Sequence, residues 1–191
     1  MDIDHDNVES FATPAEFCGW LEANHASSTQ LWLKIFKRSS GIPSLTWEEA
    51  VIEAIAWGWI DGLKKSHDAT AYFQRFTPRT KRSGWSKKNC GHAETLIATG
   101  RMQAPGLAAV EAARSDGRWD VAYAGSAEME IPAEFLEALA GNEAAAVFFK
   151  TLNKANLFAI YHRVHTARTS QTRQNRIAAI IDRLARGEAF H

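Results

Sequence analysis

The sequence predicts an α+β fold: a small antiparallel sheet with packed helices over residues 1–119, then a C-terminal helical module over residues 120–191. Three observations predict it. Residues 31–37 (LWLKIFK), 59–65 and 71–77 have the β-branched, aromatic and alternating composition of strands. Threonine-led caps open helical patterns on either side of the first of these runs. Beyond residue 131, every apolar stripe repeats at the helical period.

In chain order, Thr13-Pro14-Ala15-Glu16 reads as a capping box, with Thr13 as N-cap, Pro14 in the first turn and Glu16 reaching back to the cap amide. The helix it opens runs to about Asn24, with Phe17, Trp20 and Leu21 on one face. The strand at residues 31–37 is apolar enough to be covered on both sides, and Ser39 to Ser44 is a loop. Thr46-Trp47-Glu48-Glu49 is a second capping box, for a helix striped by Ala50, Val51, Ala54 and Ile55 and ended by Gly58. Residues 59–65 and 71–77 then form a hairpin around Ser66 to Ala69. Strict alternation puts Trp59, Asp61, Leu63 and Lys65 on one face and Ile60, Gly62 and Lys64 on the other. Ser86 caps a helix to Gly100, and Pro105 starts another that breaks at Asp116-Gly117. Residues 118–131 are an irregular connection and mark the domain boundary. Four helices follow. The last carries Ile177, Ile180, Ile181, Leu184 and Ala185, between Ser170 and Gly187.

With 191 residues, 46% of them apolar and 23% charged, the chain has the composition of a globular protein with a sizeable core, which excludes a disordered one. Its two cysteines, Cys18 and Cys90, have no C-x-x-C spacing, so neither a disulfide framework nor a zinc site is indicated. The N-terminus lacks a basic start followed by an apolar run, and no apolar stretch is long enough to span a membrane. A cytoplasmic location follows. Net charge is zero, but it is blocked: residues 1–30 hold six acids and no Lys or Arg, residues 64–92 eight bases and one acid, residues 120–149 six acids, and residues 150–191 eight bases and two acids. Such blocks either complement each other internally or leave basic faces for anionic partners.

Candidate chemistry concentrates in residues 57–89. Trp59, Asp61, Lys64, Arg75, Arg79, Ser83, Trp85, Ser86 and Asn89 are the candidate ligand-binding residues, with Arg79, Ser83, Ser86 and Asn89 as donors to a phosphate or carboxylate. The competing reading is a solvated face held by the N-terminal acids. Trp57, Trp59, Tyr72, Phe73, Phe76 and Trp85 interleave with the cations as in nucleic-acid modules. Zero net charge and the usual burial of such rings argue instead for core. Asp61 is a candidate general base if its surroundings raise its pKa, and otherwise an ion-pair or turn residue. His162 with His165, and Cys90 with His92, are each half of a metal site without further partners, so no metal or cofactor is expected. Arg163, Arg168, Arg173 and Arg176 form either an anion patch or, as preferred, partners for the acids of residues 120–149.

Longer spellings carry a resemblance. "LWLKIFKRSSG", "TWEEAVIEAIAWGWIDG", "FTPRTKRSGWSKKN", "GRMQAPG", "DGRWDVAY" and "ARTSQTRQNRI" together resemble the bacterial YdeI/OmpD-associated, or bacteriocin-protection (OmdA-type), family across nearly the whole chain. The resemblance implies an N-terminal portion similar to the small antiparallel-sheet proteins of the YjbR/CyaY type, a helical C-terminal module, and an association with resistance to antimicrobial peptides. It brings no catalytic or cofactor residues. Three function classes stand: a binding or stress-protection protein for a small anionic ligand, an enzyme on a small anionic substrate with Asp61 as base and Arg79 as anchor, and an interaction module whose C-terminal helices dock a protein partner.

Overall fold

The computed structural model describes Ile3 and residues 8–191. Asp2, Asp4 and Asp6, which supply half of the N-terminal acidic block, lie outside the described residues, as does the start of the stretch read against a leader. The chain divides into two compact units, residues up to Trp85 with Asn89–Asp120, and Ser86–Lys88 with Val121–His191. No helix among the described residues is long and apolar enough to cross a membrane.

The first unit holds a four-stranded sheet of β1 (Val8–Glu9), β2 (Leu31–Phe36), β3 (Trp59–Ser66) and β4 (Ala71–Pro78) in the order β1-β2-β4-β3. The three long strands are antiparallel, as expected. The two-residue β1 adds to β2 in parallel and makes the sheet mixed. So short a strand is below the length at which alternation is visible in sequence. Pairing of Leu31, Leu33 and Ile35 with Phe76, Gln74 and Tyr72 places these side chains on one face. Helix α1 (Pro14–Asn24) lies on it, with Phe17 fully buried and its ring 5.7 Å from that of Phe76. Trp32, on the opposite face of β2, is fully buried too, which accounts for the apolar composition of that strand.

Thr13 caps α1 by accepting from the Glu16 amide, while the Glu16 carboxylate accepts from Ala12, one residue before the cap expected for a closed box. Helix α2 (Trp47–Ala56) has the complete box, Thr46 and Glu49 each accepting from the other's amide. Gly58 turns the chain out of α2 with φ +73°, and its N-H bonds Ile55. Helix α4 (Ala104–Ser115) crosses at this point: a β-carbon on Gly106 would overlap the Ala56 carbonyl and the Met102 sulfur, and one on Gly58 would sit 2.7 Å from the Pro105 carbonyl oxygen. The β3–β4 connection is held by Asp68, whose Oδ1 accepts from the Thr70 hydroxyl and from the amides of Thr70 and Ala71. These bonds hold its carboxyl at about 2.

In the second unit, α5 (Ala133–Ala140), α6 (Glu143–Phe149), α7 (Lys154–His165) and α8 (Ser170–Ala185) close over Phe135, Leu139, Ile160, Val164, Ile177, Ile180, Ile181 and Leu184. Ser170 is the first helical residue of α8. The cap is Thr169, whose hydroxyl accepts from Thr172.

Candidate functional site

Strict alternation fails in β3. Asp61 pairs with Phe76, but Lys64 pairs with Gln74, so Gly62 and Leu63 of β3 stand opposite Arg75 alone and the strand bulges between the two pairs. Phe76 and Gln74 share a face, so Asp61 and Lys64 do as well, whereas one-to-one alternation assigns them to opposite faces. The bulge thus turns two candidate residues toward one place.

That place is a cleft of about 370 Å³ lined by Trp47, Asp61, Gly62, Lys64, Tyr72 and Gln74. Each wall has a local cause. Trp47, the first residue of α2, stays 40% exposed while its indole N-H donates to Asp61 Oδ2 at 3.2 Å. Tyr72 and Gln74 stand on the face of β4 that pairs with Lys64. Lys64 Nζ sits 4.1 Å from the Tyr72 ring centre, a cation–π contact that holds the ammonium at the cleft without neutralising it. The buried Gln74 amide donates to the Gly62 carbonyl at 2.9 Å and braces the bulge.

Burial raises the Asp61 carboxyl above its ordinary 3.8, against the lowering exerted by the Trp47 indole, its own backbone amide and the nearby charge of Arg79. Between 3.8 and the raised value the native state binds more protons than the unfolded chain, so stability falls as pH rises through that window. Asp61→Asn keeps an acceptor for Trp47 and removes the half-buried charge. It is expected to melt higher than wild type above the window, with the difference shrinking as pH falls toward 3.8. Melting curves of both proteins across pH measure it, and a lower melting temperature for Asp61→Asn at neutral pH would contradict it.

The other candidates go elsewhere. Trp59 is 1% exposed, edge-on to Trp20, and donates to the His25 carbonyl, so it is core. Arg75 donates through Nε to Gln30 at 2.9 Å. Arg79 sits over buried Trp85, its Cζ 3.7 Å from the ring centre, and donates to the Gly84 carbonyl. Ser83 accepts from the Thr80 amide within the turn between them. Ser86 folds with the second unit, bridged to Tyr123. Asn89 is partly buried near the start of α3 (Lys87–Ala98). Arg79, Ser83 and Trp85 are therefore parts of a scaffold. Its other members come from the segment that the sequence presents as irregular connection: Trp119, with its ring 5.0 Å from Trp85, and Arg118, 8% exposed, which grips Asp116 through Nε and the Ser83 carbonyl through Nη1. The "DGRW" spelling within the family resemblance was the available signal.

Burial, with the Glu94 charge second, pushes the Cys90 thiol up to about 11. Among the described residues no group of three or more His, Cys, Asp or Glu is placed to hold a metal ion.

Residues 9–109 match the family model described as "Domain of unknown function (DUF8412)", and residues 128–187 match the one described as "Bacteriocin-protection, YdeI or OmpD-Associated". The chain belongs to the DUF8412 family and carries a YdeI/OmpD-associated domain. No curated protein and no solved structure matches it. The DUF8412 match runs from β1 into α4 and contains the whole cleft, while the YdeI/OmpD-associated match contains α5 to α8. At the level of the family, the association is with bacteriocin protection.

Proposed function

We propose that this DUF8412 protein acts in bacteriocin protection as a binding protein, and that its sheet cleft takes a small anionic ligand with the anionic group at Lys64 and a hydrogen-bond donor at Asp61. The observation that carries this reading is the β3 bulge, which brings an ammonium and a carboxylate of raised pKa to one cleft between two aromatic walls. The cleft volume of about 370 Å³ lies within the range of small-ligand sites. Both cysteines are free, which suits the reducing cytoplasm.

Titration calorimetry with phosphorylated metabolites, dicarboxylates and nucleotides tests the reading. A ligand of the cleft is expected to bind Lys64→Gln about tenfold more weakly than wild type. Cells carrying Lys64→Gln should lose bacteriocin tolerance in parallel. Equal affinity in both proteins overturns the assignment of the ligand to this cleft.

A second reading, an enzyme with Asp61 as general base, is favoured by one observation: its carboxyl is raised by burial while Arg79 is near enough to act on it electrostatically. Asp61→Asn separates the two. A base that acts in the chemical step is lost from turnover with binding retained, whereas a purely binding role shows as weaker affinity and no turnover in either protein.

A further inference from the structure

The arginines of the second unit do not all find the acids expected for them. Arg173 does, pairing with Glu134 at 3.3 Å, and Arg186 pairs with Glu188 at 3.0 Å. Arg163, Arg176 and Arg183 instead face a hollow of about 630 Å³ between α7, α8 and Phe190, and none of the three forms an ion pair with a carboxylate among the described residues. They are held by uncharged acceptors. Arg163 Nη1 donates to the Ala159 carbonyl at 3.0 Å, Arg176 Nη1 to the Arg163 carbonyl at 2.6 Å, and Arg183 Nε and Nη2 to the Ala189 carbonyl at 3.2 and 2.7 Å. Such bonds aim a guanidinium without neutralising it, and each group keeps further N-H donors. Of the nearby acids, Asp182 lines a different hollow with Glu134, and Glu188 binds Arg186 while its charge also reaches Arg183.

The apolar wall is also built. Asn156, 2% exposed, accepts from the amides of Phe190 and His191 through Oδ1 at 2.7 and 3.1 Å. This anchors the backbone at Phe190, whose ring centre lies 4.1 Å from Arg163 Cζ and 4.9 Å from Arg183 Cζ. Ile180 and Ala179 complete an apolar floor. His162, on the rim, has its imidazole pushed below the ordinary 6.5 by burial first, and then by Arg163, Arg176 and His165, consistent with positive charge unmatched at this spot.

We propose that this hollow is a binding site, separate from the sheet cleft, for an organic phosphate monoester: a doubly charged oxyanion on an apolar body. Three guanidinium groups call for more than one negative charge, the hollow is larger than a bare phosphate needs, and the ring and aliphatic floor match a hydrocarbon portion.

Calorimetry at low salt with phenyl phosphate, inorganic phosphate and benzenesulfonate tests the charge and the apolar body together. Phenyl phosphate is expected to bind one to one, about tenfold tighter than either of the others. Arg176→Gln should weaken it about tenfold. Because Arg176 also ties α8 to the end of α7, Ala179→Glu gives an independent variant: it breaks no bond and places a carboxylate among the arginines, one turn from Arg176 and Arg183. That variant should lose phenyl phosphate while melting no lower than wild type. Lys64→Gln should bind it as wild type does. No saturable binding to wild type, unchanged affinity in Ala179→Glu, equal affinity for benzenesulfonate, or loss of binding in Lys64→Gln overturns the proposal.

Discussion

Trp85→Ala is expected to lower the stability of the first unit by about 3–5 kcal/mol, the range for deleting a large buried aromatic side chain. Trp85 is 2% exposed and is contacted on one side by the Arg79 guanidinium at 3.7 Å and on another by the Trp119 ring at 5.0 Å. Truncation leaves a cavity and removes the surface on which Arg79 is stacked. Arg79→Lys provides the graded control: it keeps the charge and loses the planar stack, with an expected cost of about 1 kcal/mol. Urea unfolding followed by far-ultraviolet circular dichroism measures both. A loss below about 1 kcal/mol for Trp85→Ala would mean that the ring is no part of the core. Loss of ligand binding in Trp85→Ala would report unfolding, which is why Lys64→Gln is the better probe of the cleft.

Gly106→Val is expected to cost about 3 kcal/mol or more, at the upper end of overpacking effects. The obstacle is backbone. A β-carbon at position 106 meets the Ala56 carbonyl, which cannot rotate aside as a flexible side chain would. Relief requires α2 and α4 to separate, and α2 carries Trp47, the cleft residue bound to Asp61. The variant should therefore also weaken any ligand of the cleft, even though position 106 is not among its walls. Gly91→Ala is the matched control, since a β-carbon there meets nothing within 4 Å inside α3. It should be neutral, or stabilising by about 0.5–1 kcal/mol. Similar losses for the two substitutions would refute the packing argument.

Much of the architecture was legible because its causes are local. Thr46 and Glu49 lie three residues apart and satisfy each other's amides, so the start of α2 can be read from four letters. The β3–β4 hairpin follows from two strand-like runs around a turn closed by Asp68. The amphipathic stripe of α8 is complete in its own sixteen residues. The candidate site was less legible. Asp61 and Lys64 both stand out in the sequence, yet there Trp47 is only a helix start, and Trp59 and Trp85 are candidate ligand contacts although both are core.

The sequence by itself determined the eight helices and the three long strands, the caps of α1 and α2, and that basic residues would gather in two stretches. Only the tertiary structure decided what those residues face. A strand's period assigns sides when residues pair one to one, and the bulge after Asp61, apparent only once β3 lies against β4, breaks that rule and brings Lys64 to the same side. An arginine's partner depends on groups tens of positions away: Arg173 meets Glu134, whereas Arg176, on the same helix, meets the Arg163 carbonyl. Charge is a property of composition, but whether it is neutralised is a property of packing.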